Sequence, residues 1–127
     1  MLRDGRFLVV HNVKNGLRIE PSGGKWHGAD IETLEEAVMR ELREELSVNV
    51  RVLRKIGVYP TDMTKEGVFD VHTYLCEIVE GEPVASEPGK IEGFEWLTPD
   101  ALEANPSITP SLRATLQDLR AIAAEAR

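Results

Sequence analysis

The sequence has little cysteine, few positive charges relative to negative ones, and no long apolar run. Cys76 is its single cysteine, which excludes an intrachain disulfide and a cysteine-based zinc site. Fifteen Lys and Arg residues face 22 Asp and Glu residues, for a formal net charge of −7. Non-specific binding to nucleic acid or to anionic membranes depends on cations that neutralise phosphate, so we expect no nucleic-acid and no membrane partner.

Residues 1 to 6 lack the apolar core of a signal peptide, and the apolar run at 7 to 10 is far shorter than a membrane span. Together with the lone cysteine, this predicts a soluble protein of the reducing cytoplasm. The length of 127 residues and the 42% hydrophobic content suit one domain that covers residues 1–127.

The residues with most chemical meaning lie in a predicted helix at 33 to 46. Thr33 and Glu36 form the capping-box pattern that begins a helix. At about 100° per residue, Glu41 and Glu45 fall within the apolar stripe of this helix and Glu44 falls at its edge; the stripe consists of Leu34, Ala37, Val38, Leu42 and Leu46. A carboxylate turned toward a core costs several kcal/mol unless it is compensated, so the pattern predicts a partner cation, most naturally a divalent metal.

The other elements follow from turn signals and alternation. The turn pairs Asp4-Gly5 and Asn15-Gly16 separate short strands. Apolar stretches and the alternation of apolar with polar residues predict strands at 6 to 13, 17 to 20, 49 to 59, 68 to 79 and 91 to 97. An exposed loop is predicted at 81 to 89, a short helix after Thr98, and an amphipathic helix at 111 to 126. This order favours an α/β protein, with a mixed sheet sandwiched by helices. The strand before Asp4 is short and leaves a sheet edge that a second copy could cover, so a homodimer is possible.

The segment from Gly24 to Val48 resembles the Nudix box of the Nudix hydrolases (MutT-like proteins). That box consists of Gly, five residues, Glu, seven residues, Arg-Glu, an aliphatic residue, any residue, Glu-Glu, any residue, Gly and an aliphatic residue. Glu32 matches the first Glu, and seven residues separate it from Arg40-Glu41. The remaining matches are Leu42, Glu44-Glu45 and Val48, and the 95 to 102 stretch Glu-Trp-Leu-Thr-Pro-Asp-Ala-Leu is also common in the family. The resemblance implies the Nudix-type α/β/α sandwich with a mixed central sheet.

The resemblance also implies roles for individual residues. Glu41, Glu44, Glu45 and the carbonyl of Gly24 resemble metal ligands; carboxylate oxygens suit Mg²⁺, with Mn²⁺ as the alternative. Glu32 and Arg40 resemble the structural pair that ties the loop to the helix. The substrate-binding candidates are Gly23, Lys25 and Arg18, and the catalytic candidates are Glu44, Glu45, Glu87 and Glu92. The general base stays open among these glutamates, and Lys90 stands where many members carry an acid.

Plainer interpretations exist for each group. The acidic helix could be solvated and paired with Arg40 and Arg43, and Glu32 could be a separate surface charge. His27 and His72 could assist a proton transfer, although hydrogen-bonded structural roles are more common. Trp26, Tyr59 and Phe69 could stack on a base, although packing is the more common role of aromatic residues.

Three features depart from the family pattern: seven residues rather than five lie between Gly24 and Glu32, Ser47 replaces the box glycine, and the first strand is short. A non-glycine residue at the helix end implies a cost of roughly 1 kcal/mol or a shifted cap. The resemblance as a whole implies a metal-dependent pyrophosphohydrolase of a nucleoside diphosphate linked to another moiety, such as a nucleoside triphosphate or ADP-ribose. The departures motivate the alternative, a catalytically weak or inactive nucleotide-binding module. A third hypothesis is an acidic structural protein whose helix docks a basic partner.

Overall fold

The computed structural model describes residues 1–13, 18–21, 31–60 and 70–125. These residues form six strands and three helices. The elements are β1 (Leu2–Arg3), β2 (Arg6–Asn12), β3 (Arg18–Pro21), α1 (Leu34–Leu46), β4 (Asn49–Pro60), β5 (Asp70–Glu80), β6 (Ile91–Leu97), α2 (Pro99–Ala104) and α3 (Pro110–Glu125). No helix in these residues is both long and apolar enough to cross a membrane.

Strand β2 is the centre of the larger sheet. Strand β6 pairs antiparallel with it from Phe7↔Leu97 to Asn12↔Ile91. Strands β1 and β3 share the other edge, because β1 pairs with the start of β2 and β3 pairs from Val9 onward. Strands β4 and β5 form a separate, long antiparallel pair.

Strand β2 is buried on both faces. Phe7 and Val9 belong to a core shared with α2 and α3, whereas Leu8 and Val10 belong to a core shared with α1. Because successive side chains of a strand point to opposite faces, four consecutive apolar residues require a cover on each side. Helix α1 covers one face and α3 the other, which confirms the predicted sandwich of a sheet between helices.

Helix α1 begins and ends as the sequence predicts. Glu36 N donates to Thr33 Oγ1 at 3.1 Å, and Thr33 N donates to Glu36 Oε1 at 2.9 Å, so the capping box is complete. Ser47 ends the helix in the left-handed conformation, with φ 58° and ψ 35°, and its N–H donates to the carbonyl of Arg43 at 3.0 Å. The missing glycine therefore does not shift the helix end.

Most of the predicted elements are confirmed, with ends that differ by one or two residues. The Asn15-Gly16 turn and residues 68, 69 and 126 lie outside the described part of the chain. The sequence predicts a mixed sheet, whereas the strand pairings found in the described residues are all antiparallel. The sequence predicts an exposed loop at 81–89, and this prediction is only partly correct. Residues 85 to 87 are half-buried, because this segment packs against the end of α1.

Candidate active site

Helix α1 presents three carboxylates of very different exposure. The Glu45 side chain is fully buried and Glu41 is 6% exposed, whereas the Glu44 side chain is 51% exposed. This is the placement that the helical spacing predicts: two acids within the apolar stripe and one at its edge. Buried carboxylates need compensating charge or donors, and the neighbouring cations supply it.

Arg40 is the first of these cations. Its Nη2 donates to Glu32 Oε1 at 2.9 Å and its Nε donates to Glu32 Oε2 at 3.1 Å, a bidentate pair. Its Nη1 donates to Glu41 Oε1 at 2.6 Å and approaches Glu44 Oε2 at 3.3 Å. The hydrogen bond to Glu32 is the largest cause that raises the pKa of Arg40, and it outweighs the lowering effect of burial. One guanidinium thus links the chain before α1 to two carboxylates of the helix.

The segment that follows β5 packs against the C-terminal end of α1. Val84 N donates to Leu46 O at 2.9 Å and Ser86 N donates to Glu45 O at 2.8 Å, so two of the helix's last carbonyls gain donors. The hydroxyls of Ser47 and Ser86 lie 2.5 Å apart. These contacts bring Glu87, the next residue, beside the carboxylates of α1.

Glu41, Glu44 and Glu87 then form an acidic cluster. One carboxylate oxygen from each lies within 4.8 Å of the others, and the three side chains range from buried to exposed. Converging carboxylate oxygens with access to water are the donors that a small hard divalent cation prefers. The donor set therefore fits such an ion.

Lys90 is the second cation of the site. Its Nζ lies 3.6 Å from Glu45 Oε2 and 3.7 Å from Glu87 Oε2. Burial lowers the pKa of Lys90, but the negative charges of Glu45, Glu87 and Glu41 raise it by more, so the net shift is upward and the amine stays charged. Lys90 thus joins α1 to the turn that carries Glu87.

The other site candidates are distributed as follows. Glu92 is exposed on β6 and is not part of the acidic cluster found among the described residues. Arg18 begins β3. The candidates Gly23, Gly24, Lys25, Trp26, His27 and Phe69 lie outside the described residues.

Two further candidates have structural partners. His72 is exposed, and its Nδ1 lies 2.8 Å from Lys55 Nζ. Tyr59 is buried, and its hydroxyl donates to Asp118 Oδ2 at 2.5 Å. Because the Tyr59 ring is buried in the core, it offers no surface on which a base could stack.

The ion pairs of Lys90 do not follow from the sequence, in which Lys90 stands out only as a departure from the family. A signal was present in the sequence: Glu87 and Lys90 stand three residues apart around Pro88-Gly89, a typical turn. That spacing predicts that the two side chains lie near each other, but not that they meet Glu45, which is 42 residues away from Glu87 in the chain.

The chain is similar to several known proteins. A curated oxidized purine nucleoside triphosphate hydrolase from Danio rerio is 36% identical over 78 residues, which are 57% of this chain and 50% of that protein. The alignment thus spans about half the length of this curated relative.

Two solved structures show the same fold. A MutT NUDIX hydrolase from Burkholderia pseudomallei superimposes with a TM-score of 0.81 at 26% identity, covering 93% of this chain and 91% of that one. An ADP-ribose pyrophosphatase from Streptococcus suis superimposes with a TM-score of 0.68 at 16% identity, covering 99% of this chain and 86% of that one. The model of the NUDIX domain family matches residues 1–119. On this match, which covers nearly the whole chain, the protein belongs to the Nudix family.

Proposed function

We propose that this domain hydrolyses a phosphoric anhydride bond of a nucleoside triphosphate, with a divalent cation held by the acidic cluster. Membership of the Nudix family supports the reaction class. The activity named for the curated relative, hydrolysis of oxidized purine nucleoside triphosphates, favours a triphosphate over other nucleotides.

The acidic cluster is the observation that carries this proposal. Glu41, Glu44 and Glu87 offer carboxylate oxygens within 4.8 Å of one another, and Glu45 lies one helical turn from Glu41. We infer that these residues, with the carbonyl of Gly24, hold Mg²⁺ or Mn²⁺. When bound, the cation would neutralise the phosphate oxygens and lower the pKa of a water ligand.

The residues of the chain would supply positioning and a proton acceptor. The Arg40 guanidinium keeps Glu41 and Glu44 oriented through Nη1, while its other two donors hold Glu32. Of the two acids outside α1, we favour Glu87 over Glu92 as the general base, because Glu87 belongs to the cluster and Glu92 is exposed on β6. Gly23, Lys25 and Arg18 remain proposed contacts of the phosphates.

A substrate panel tests the proposal. The full chain is incubated with nucleoside triphosphates, oxidised purine triphosphates and ADP-ribose in Mg²⁺ or Mn²⁺, and the products are separated by chromatography. We expect at least one triphosphate to yield the monophosphate and pyrophosphate. Glu44→Gln removes a ligand from an exposed position, so it should lower kcat/KM by about 100-fold, or roughly 3 kcal/mol of transition-state stabilisation.

Glu35→Gln is the matched control. Glu35 lies in the first turn of the same helix, is exposed, and is not part of the cluster, so it loses the same charge at a distance from the site. Its kcat/KM should stay within about twofold of the wild-type value, since one exposed charge has little effect in water. Tight nucleotide binding without any product would contradict the proposal and would support the binding-module alternative.

A further inference from the structure

A lysine lies beside the acidic cluster. Lys90 Nζ lies 3.6 Å from the fully buried carboxylate of Glu45 and 3.7 Å from the half-buried carboxylate of Glu87. Its own side chain is 31% exposed, so much of its hydration is replaced by these two acids. An ammonium group and a divalent cation both bind carboxylate oxygens, and the two cations repel each other at short range.

The backbone of Lys90 is fixed on both sides of the turn. Lys90 N donates to Glu87 O at 3.2 Å and Ile91 N donates to the same carbonyl at 2.8 Å. Lys90 O accepts from Val13 N at 2.8 Å, directly after β2. The turn itself has Pro88 followed by Gly89 at φ 81°, a combination typical of a type II turn. The stem of Lys90 therefore starts from a rigid position beside the cluster.

We propose that Lys90 is a resident cation of the metal site, where it competes with divalent metal for the carboxylates of Glu87, a member of the acidic cluster, and of Glu45 beside the cluster, and so weakens metal binding. The inference deepens the proposed function, because it rests on the cluster being the metal site. In the absence of metal, Lys90 compensates the charge of Glu45, and when metal binds, its ammonium repels the incoming ion. Arg40 has a different task, since two of its nitrogens are engaged with Glu32.

A purely structural lysine and a competing lysine predict opposite results. If Lys90 only supports the fold of the turn, its removal disorders Glu87 and weakens metal binding. If Lys90 competes, its removal takes one positive charge away from the site and frees oxygens of two carboxylates, which strengthens metal binding. The direction of the change in metal affinity therefore separates the two roles.

The test measures Mn²⁺ binding to the full chain by calorimetry and by the spin-resonance signal of free Mn²⁺, without substrate. Lys90→Gln should bind Mn²⁺ about tenfold more tightly than the wild type, as expected for the removal of one nearby positive charge. Lys90→Arg keeps the charge and should keep the weaker affinity. Lys55→Gln loses the same charge at an exposed position of β4, so its affinity should match the wild type within about twofold.

Thermal unfolding provides a second readout that does not depend on turnover. Without metal, Lys90→Gln should have a lower Tm than the wild type, because Glu45 stays buried with less compensation. Mg²⁺ should then raise the Tm of this variant by more than it raises that of the wild type. If Lys90→Gln does not fold without metal, Lys90→Met keeps the apolar stem and takes its place in both measurements.

Two results would overturn the inference: Mn²⁺ affinity of Lys90→Gln and Lys90→Met equal to or below the wild-type affinity, or a metal-induced rise in Tm no larger than that of the wild type. Hydrolysis by the wild type is measured separately. An active wild type with unchanged affinity in the variants would reject only the role of Lys90. An inactive wild type with tighter Mn²⁺ binding in Lys90→Gln would reject only the proposed activity.

Discussion

Arg40 donates two hydrogen bonds, of 2.9 and 3.1 Å, to the carboxylate of Glu32, which lies eight residues earlier in the chain. The Glu32 side chain is only 9% exposed, so its carboxylate is largely shielded from water. A planar guanidinium can hold a carboxylate at two points and still direct its third nitrogen to Glu41. The pair thus ties the chain that enters α1 to the carboxylates of the site.

Replacing Arg40 by lysine should therefore be far from conservative. A lysine offers a single ammonium and cannot reach Glu32 twice and Glu41 as well. We expect Arg40→Lys to lower the free energy of unfolding by about 2 kcal/mol, since two partly buried acids lose donors, and to lower hydrolysis by at least tenfold. Urea denaturation and initial rates measure the two effects.

Arg43→Lys is the control for that substitution. Arg43 is exposed and donates to Asn49 Oδ1 at 2.9 Å, outside the cluster. Its replacement should change stability by no more than about 0.5 kcal/mol. Equal losses of unfolding free energy in the two variants would show that the contacts of Arg40 stabilise the protein no more than those of Arg43.

The end of α1 offers a second prediction. The left-handed φ of 58° at Ser47 disfavours a side chain, but the Ser47 hydroxyl bonds to Ser86. The Ser86 hydroxyl already donates to Val84 O at 2.8 Å, so Ser47 is the donor in the pair. Ser47→Gly should relieve roughly 1 kcal/mol of strain and lose a hydrogen bond of about the same value, leaving the free energy of unfolding within about 0.5 kcal/mol of the wild type.

A double-mutant cycle separates these opposing terms. In a Ser86→Ala background the hydrogen bond is already absent, so Ser47→Gly should stabilise the protein by about 1 kcal/mol. Thermal or urea unfolding of the four proteins measures the coupling. If Ser47→Gly stabilises both backgrounds equally, the two hydroxyls are not coupled.

Gly81 is expected to tolerate a side chain less well than Gly5 does. It has φ 94°, and a Cβ there would lie 3.0 Å from the carbonyl oxygen of Ser47. Gly5 also has a positive φ, 74°, but a Cβ there meets no atom within 4 Å. Gly81→Ala should therefore cost at least about 1 kcal/mol more than Gly5→Ala, because it adds a backbone contact to the same conformational strain. Chemical denaturation of both variants measures the difference, and equal costs would contradict the close approach of Gly81 to Ser47.

The Tyr59 hydroxyl makes stability sensitive to high pH. Burial, with the hydrogen bond and charge of Asp118, raises the pKa of Tyr59 from 10.0 to about 12. The folded state thus holds the phenol proton more tightly than the unfolded state. This contribution to stability is complete below pH 10 and is lost as the pH rises toward 12.

Tyr59→Phe removes this contribution and tests its size. Below pH 10 the variant should be about 1 to 2 kcal/mol less stable than the wild type, and the gap should narrow as the pH approaches 12. Urea unfolding of both proteins at several pH values gives the difference between their free energies of unfolding. The titration of the lysines cancels in this difference, because both proteins contain the same lysines. A gap that stays constant over this pH range would contradict the assignment.

The helix that carries the site was predictable because its signals are local. The capping box at Thr33, the apolar stripe and the inward position of Glu41 and Glu45 all depend on spacings within one helix. Strand β2 was also predictable, since four consecutive apolar residues demand burial on both faces. The membership of the chain in the Nudix family likewise follows from residues that lie close together in the sequence.

The completion of the site could be decided only by the tertiary structure. Glu87 joins Glu41 and Glu44, and Lys90 meets Glu45, because the segment after β5 donates its backbone N–H groups to the last turn of α1. The same packing half-buries residues that composition alone assigns to an exposed loop. Contacts between residues 40 or more positions apart depend on how helix and strand pack, and charge interactions at such contacts change with every ångström. No local pattern in a sequence records that distance.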